Sequence, residues 1–212
     1  MKRYLDWLIK KTRRSVEVQF SSEATPSSVK AAKPDALIVA IGAEPFIPDI
    51  PGIKKSNVVL ASDVDAGIVQ TGETVVVAGA GLVGCETALY LAQGGKKVII
   101  IDILKESEIA ADINPVPRFW LIELLHQNGV VFRTEVNLEE ITDKGVVVID
   151  RQRVRSEIPA DTIVVSLGYK ARCEAVDAFQ GSAHEVYVVG DCSSPLNLMA
   201  AIHDAFNVAV EI

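Results

Sequence analysis

Cysteine is scarce in this 212-residue sequence, with only Cys85, Cys173 and Cys192, far apart along the chain. An odd, scattered set fits a reducing compartment better than a disulfide-built secreted fold. No Cys-x-x-Cys occurs. That excludes thioredoxin-type dithiol chemistry, a zinc ribbon and cysteine-held iron–sulfur clusters from these residues, since each needs paired or clustered thiolates. Histidine is as sparse: His126, His184 and His203 show no ligand spacing, so no metal site is expected. Ser166, Ser193 and Ser194 lie in no Gly-x-Ser-x-Gly context, which leaves hydrolase chemistry unsupported. Positive charge is in deficit, 21 Lys and Arg against 28 Asp and Glu, for a net charge of −7. Nucleic-acid binding needs clustered cations for the phosphates and is not expected. The one basic run, Lys10 to Arg14, reads as a solvated helix end. No apolar stretch reaches the ~20 residues of a membrane span, and the one after Met1-Lys2-Arg3 is broken by Asp6, Lys10 and Lys11, unlike a signal peptide. A cytoplasmic protein with no membrane partner is expected.

What is present is apolar: 49% of the residues are hydrophobic, enough for a packed core. Leu5, Leu8 and Ile9 have helical spacing over residues 2–14, and Val16 to Phe20 then alternates like a half-buried strand. Ala36 to Ile41 is a buried strand ended by Gly42, followed by irregular chain around Pro45, Pro48 and Pro51. From Thr74 the order becomes strand, glycine turn, helix, strand. Val75-Val76-Val77-Ala78 and Val98 to Ile101 are β-branched runs suited to parallel strands covered on both faces. Between them Leu82 to Gln93 reads as a helix stopped at Gly94-Gly95. A second helix is expected over Pro117 to Gln127, an antiparallel excursion over 136–165, a strand over Val186 to Val189, and a last helix from Pro195 with Ser194 as its cap.

The chemistry-bearing segment is Gly79-Ala80-Gly81-Leu82-Val83-Gly84, a G-x-G-x-x-G that follows a buried strand and opens a helix. Asp102 closes the next strand, 18 residues beyond Gly84. In such a βαβ unit the first glycine permits the tight turn, the second lets the backbone approach a pyrophosphate, and the third lets helix pack on strand. The helix start adds free N–H groups and positive dipole for phosphates. Asp102 is placed to accept ribose hydroxyls and to repel a 2′-phosphate, which favours NAD over NADP. The competing reading of the turn is packing alone. Cys85, next to the turn, is either a thiol of lowered pKa at a helix start or a small packing residue.

Four segments in order carry a resemblance: Asp35 to Pro45 (DALIVAIGAEP), Val75 to Glu86 (VVVAGAGLVGCE), Ala160 to Gly168 (ADTIVVSLG) and Val188 to Asp191 (VVGD). With them the chain resembles the two-dinucleotide-binding-domain flavoproteins of the pyridine nucleotide-disulfide oxidoreductase type. It looks most like the C-terminal half of NADH:flavin oxidoreductases of the 2-enoate reductase, 2,4-dienoyl-CoA reductase and trimethylamine dehydrogenase kind. The fold class implied is α/β, a Rossmann-like parallel sheet NAD domain inserted in a partial FAD-type α/β domain. Residues 66–166 would form the NAD(H)-binding domain, and 1–65 with 167–212 the FAD-type domain.

The resemblance also assigns residues. Gly42 and Gly168 match the crossover glycines between the domains, Asp191 a flavin-contacting aspartate, and Glu86 a glutamate near the nicotinamide carboxamide; a surface helix glutamate is the other reading of Glu86. Only one glycine fingerprint is present, so the first βαβ of the FAD-type domain is missing, as are the family's FMN- and substrate-carrying barrel and its iron–sulfur cysteines. The chain thus resembles a fragment that works with a missing N-terminal flavin/substrate module. It would bind NAD(H) and present the nicotinamide for hydride transfer to a flavin, FAD belonging to the intact enzyme. No protein acid or base is required, so no catalytic residue is expected. The alternative is a non-catalytic dinucleotide-binding module or an inactive fragment. An unpaired sheet edge and uncovered apolar surface should accompany the missing strand, with self-association or a rearranged terminal region as the expected response.

Overall fold

The computed structural model describes residues 2–212. In chain order α1 (Lys2–Ser15), α2 (Pro26–Ala32) and β1 (Ala36–Val39) precede β2 (Ala43–Pro45), β3 (Val58–Leu60) and α3 (Ala61–Asp65). A strand–helix–strand unit follows, β4 (Thr74–Ala78), α4 (Leu82–Gln93) and β5 (Lys97–Ile101), then α5 (Pro115–Gln127) and β6 (Val131–Arg133). Next come β7 (Val136–Thr142), β8 (Gly145–Asp150), β9 (Arg155–Pro159), β10 (Thr162–Val165) and β11 (Tyr169–Ala171). The chain closes with α6 (Cys173–Asp177), β12 (Glu185–Val188) and α7 (Leu198–Ala209). Two compact units result: a larger one, Ala43–Ala171, and a smaller one formed by the chain up to Gly42 together with Arg172–Ile212.

The larger unit is built on a parallel sheet of order β3-β10-β4-β5-β6. Its three central strands, β10, β4 and β5, are apolar on both faces, and both are covered. Val75, Val77, Ile100 and Val164 pack with Cys85, Ala88 and Leu91 of α4 and Leu125 of α5. The alternate residues Val76, Ala78, Ile101 and Ile163 pack against Leu138, Ile141, Val146, Val148 and Ile158 of the antiparallel sheet β7-β8-β9. Period-two alternation therefore feeds two cores from one set of strands. Each fully buried valine or isoleucine contributes roughly 1.5–3 kcal/mol relative to exposure. A short antiparallel pair, β2 with β11, brings Ala43 opposite Ala171.

The larger unit takes in β3, which pairs in parallel with β10, and α3, which contributes Ala61 and Val64 to the first core.

The smaller unit contains one two-stranded parallel sheet, β1 with β12. Its core is small: Val39, Val176 and Cys192, with Leu37, Ile41, Phe179, Val186 and Val188 partly buried around them. Neither α1, α2 nor α7 buries a residue, and Leu5, Trp7, Leu8, Met199 and Phe206 are exposed. Val16 to Phe20 is not a strand, contrary to its alternation: it is exposed and unpaired, since no neighbouring strand lies beside it among the described residues.

Helix starts also depart from expectation. The last helix begins at Leu198, not Pro195, because Asn197 caps it, accepting a hydrogen bond from the Ala200 amide at 2.9 Å. Helix α5 starts at Pro115 rather than Pro117, with proline in its first turn. No helix among the described residues is long and apolar enough to cross a membrane.

Candidate functional site

The glycine turn forms where β4 ends, at the C-terminal edge of the parallel sheet, and each of its glycines meets a different constraint. Gly79 has φ +108°, and a Cβ there would lie 2.1 Å from the Ser166 carbonyl oxygen. Its amide donates to the Ile101 carbonyl at 2.9 Å, tying the turn to β5. A Cβ on Gly84 would lie 2.0 Å from the Gly79 carbonyl oxygen, so helix α4 sits directly on the turn. Gly81 is the exception. It is exposed, caps α4 in an extended conformation, and a Cβ there would meet nothing within 4 Å. Packing thus demands Gly79 and Gly84 but leaves Gly81 unexplained.

Helix α4 has no side-chain cap at its start. The amide of Cys85 reaches the Gly81 carbonyl at 3.0 Å, so the amides before it, at Leu82, Val83 and Gly84, belong to the first turn that cannot bond within the helix. Those amides and the helix dipole give the open side of Gly81 a positive character.

Asp102 follows β5 and is half-buried. Its Oδ2 accepts the Ala80 amide at 2.6 Å and its Oδ1 accepts the Leu104 amide at 2.8 Å. The carboxylate therefore holds the glycine turn as well as its own loop, while each oxygen retains a lone pair for a further donor. The Ala80 carbonyl in turn accepts the Ala110 amide at 2.9 Å. Sequence reasoning missed this latch, and it missed Ser166, whose carbonyl and hydroxyl oxygens shape the space at Gly79 and Gly84.

Around the turn, the titratable groups divide sharply. Cys85 is fully buried, and burial pushes its thiol up to about 12, with Asp112, Asp102 and Glu86 adding to the rise and Arg118 opposing it. The low-pKa reading of Cys85 is overturned: it is a packing residue. Glu86, exposed on α4, has its carboxyl raised by partial desolvation and then by the Asp65 carboxylate. Asp65 is itself raised by desolvation, partly offset by a hydrogen bond from the Thr87 hydroxyl at 2.9 Å.

Gly79, Ala80, Gly81, Leu82, Val83, Gly84 and Asp102 thus come together in the larger unit. Gly168, at φ +96°, belongs to the same unit, two residues beyond Ser166. Gly42 and Asp191 belong to the smaller unit, past the C-terminal ends of β1 and β12. There Asp191 Oδ1 accepts the Leu196 amide at 3.3 Å, and Asp204 on α7 accepts the Gly190 amide at 2.7 Å.

A parallel sheet with a glycine turn at its C-terminal edge, a bare helix start and an acid at the end of the next strand defines the Rossmann-like class of α/β fold. The chain belongs to the pyridine nucleotide-disulphide oxidoreductase family, whose model matches residues 4–208. It is 36% identical over 218 residues to an NADH oxidase of Thermoanaerobacter brockii, covering 100% of this chain and 33% of that protein. It is 30% identical to a cinnamate reductase of Clostridium sporogenes, covering 93% of this chain and 29% of the relative. Among solved structures a 2-naphthoyl-CoA reductase, in complex with 2-naphthoyl-CoA, superposes with a TM-score of 0.90 at 33% identity, over 99% of this chain and 31% of that one. The chain therefore spans about a third of the length of these relatives.

Proposed function

We propose that this chain is the NAD(H)-binding part of an NADH:flavin oxidoreductase and presents the nicotinamide for hydride transfer to a flavin held with the help of a further module. The observation that carries this reading is Gly81. Its neighbours Gly79 and Gly84 are glycines for packing reasons, whereas Gly81 faces open space above a bare helix start, the place a pyrophosphate would occupy. Asp102 and the family membership support the same reading.

In it, residues 66–166 bind NAD(H), while 1–65 and 167–212 are the FAD-type part, with Gly42, Gly168 and Asp191 toward the flavin. The amides of Leu82, Val83 and Gly84 hold the pyrophosphate. Asp102 keeps the turn in shape through Ala80 and uses its remaining lone pairs on the adenosine ribose. Glu86 receives the carboxamide end. The bound NADH supplies the hydride, and the chain supplies position, orientation and water exclusion. The setting is cytoplasmic, and any FMN or iron–sulfur centre would belong to the further module. The assembled enzyme is an oxidoreductase; this chain contributes its nucleotide half.

Titrating the purified chain with NADH and with NADPH, and following the fluorescence of the reduced nicotinamide, tests this directly. Saturable binding of NADH, tighter than NADPH, is expected. Absence of NADH binding, or a preference for NADPH, refutes the assignment.

A further inference from the structure

Three strands of the parallel sheet end side by side, with Ala78 of β4 beside Ile101 of β5, and Ile101 beside Arg133 of β6. A ligand of such a sheet lies outside the C-terminal ends of the strands, so the chain that follows β6 borders the same space as the glycine turn and Asp102. That chain is stitched to the Asp102 loop. The Asp102 amide donates to the Arg133 carbonyl at 3.3 Å, and the Asp102 carbonyl accepts the Val136 amide at 3.0 Å. Between them the Glu135 amide donates to the Leu104 carbonyl at 2.9 Å. Leu104 is the residue whose own amide is held by Asp102 Oδ1. Glu135 makes its bond at φ +59°, a left-handed conformation that residues other than glycine seldom adopt.

The Glu135 side chain is engaged as well. Its Oε1 accepts Nη1 of Arg151 at 2.8 Å. Arg151 stands there because it follows Asp150, the cross-strand partner of Val136 in the β7–β8 ladder. Both side chains are solvated, Arg151 at 55% and Glu135 at 43% exposure, and an exposed pair of this kind contributes little to stability. Its position is more telling than its strength. Through the Glu135 amide the pair is fixed against the loop of the acid proposed to receive the adenosine ribose. NADPH differs from NADH by a phosphate on that ribose, and the guanidinium fork of arginine is the side chain that matches phosphate best. Here the fork is turned to a carboxylate.

We propose that Glu135 is a second determinant of cofactor choice: it withholds Arg151 from a 2′-phosphate and sets a further carboxylate near Asp102, so that the site takes the nucleotide with a free 2′-hydroxyl. This rests on the NAD(H) reading above and deepens it. Asp102 acts on the ribose directly, whereas Glu135 acts through Arg151 and is a positioning residue. The two acids lie on different strand ends, and Glu135 is far in sequence from the glycine turn. A second pair of the same residue types, Glu139 with Arg155 at 2.6 Å, lies further along β7 and on β9 and serves as an internal control.

The full chain and its variants are titrated with NADH and NADPH, and with adenosine 5′-monophosphate and adenosine 2′,5′-bisphosphate, which carry the adenosine end alone. Glu135→Gln should shift the affinity ratio of NADPH to NADH by roughly tenfold in favour of NADPH, the value of a charge-assisted hydrogen bond. The ratio of bisphosphate to monophosphate should move with it. Adding Arg151→Ala to Glu135→Gln should return both ratios to the parent values, and Glu139→Gln, an equal change of charge, should leave them unmoved. Thermal melts that overlay the parent's are expected for an exposed pair; Glu135→Asn, a residue that tolerates the left-handed backbone, is the second variant and should reproduce the shift. Unchanged ratios in Glu135→Gln and Glu135→Asn, a gain that survives the loss of Arg151, or an equal gain in Glu139→Gln overturns the proposal and leaves the NAD(H) assignment standing. A parent chain that binds no NADH overturns that assignment itself, and this proposal with it.

Discussion

The Asp102 carboxylate accepts the Ala80 amide at 2.6 Å, so the acid that ends one strand of the sheet fixes the turn that ends its neighbour. Under the proposed function, the same side chain would serve both nucleotide binding and stability. Asp102→Ala should lower the melting stability of the larger unit by roughly 1.5–3 kcal/mol, the range for hydrogen bonds to a charged group, and abolish NADH binding as well. Asp102→Asn retains an oxygen for the Ala80 amide and should recover most of the stability while still discriminating poorly between NADH and NADPH. Denaturant melts paired with nucleotide titrations check both halves.

The three glycines of the turn separate packing from binding. A methyl on Gly84 meets the Gly79 carbonyl at 2.0 Å, so Gly84→Ala should cost roughly 3 kcal/mol by overpacking and perturb the whole unit. Gly81→Ala meets nothing and should cost less than about 1 kcal/mol as a poorer cap. It should nonetheless weaken NADH by about tenfold or more. Equal NADH affinity for Gly81→Ala and the parent chain would leave the turn a packing device.

Cys85 should be inert. With its thiol pushed up to about 12 by burial, it stays protonated near neutral pH and should resist alkylation while the exposed Cys173 reacts. The sign of its linkage follows from the same rise. The folded chain holds this proton more tightly than the unfolded one, so the stability contribution is complete below pH 9.0, the ordinary thiol value, and is lost as pH climbs toward about 12. Cys85→Ala should flatten that part of a pH–stability curve.

Asp65 and Glu86 both have raised carboxyl pKa values, and the charge of Asp65 contributes to the rise at Glu86. For an acid raised on folding, the contribution to stability is present below the unfolded value and lost as pH rises through the folded one. Local stability should therefore improve slightly on acidification from neutral pH toward 4. Asp65→Asn should bring the Glu86 carboxyl down toward its ordinary value in a side-chain NMR titration. An unmoved Glu86 would dissociate the two groups.

Much of this was legible in the sequence, and the reasons are physical. Val75 to Ala78 and Val98 to Ile101 announce doubly covered parallel strands because both faces of each are apolar, and the turn between them is marked by glycines that backbone contacts demand. The latch from Asp102 to Ala80 was hidden, because a carboxylate at that spacing is equally suited to ribose and to an amide. Val16 to Phe20 misled for a different reason: alternation reports which faces could be buried, whereas a strand exists only with a neighbour to pair with. At the last helix Pro195 looked like a first residue, but the decisive signal was the side chain of Asn197 reaching the Ala200 amide. Helix α2, too short to register by periodicity, carries its own signal, Thr25 and Ser28 in a reciprocal cap on either side of Pro26.

The pairing of β2 with β11 sets Ala43 opposite Ala171, so the larger unit starts and finishes at neighbouring positions of one ladder. A unit with its two ends already joined by hydrogen bonds imposes almost no loop-closure entropy on whatever chain carries it. On that geometry it should tolerate transfer to another host, or replacement by a different insert at the same two residues, as a cassette would.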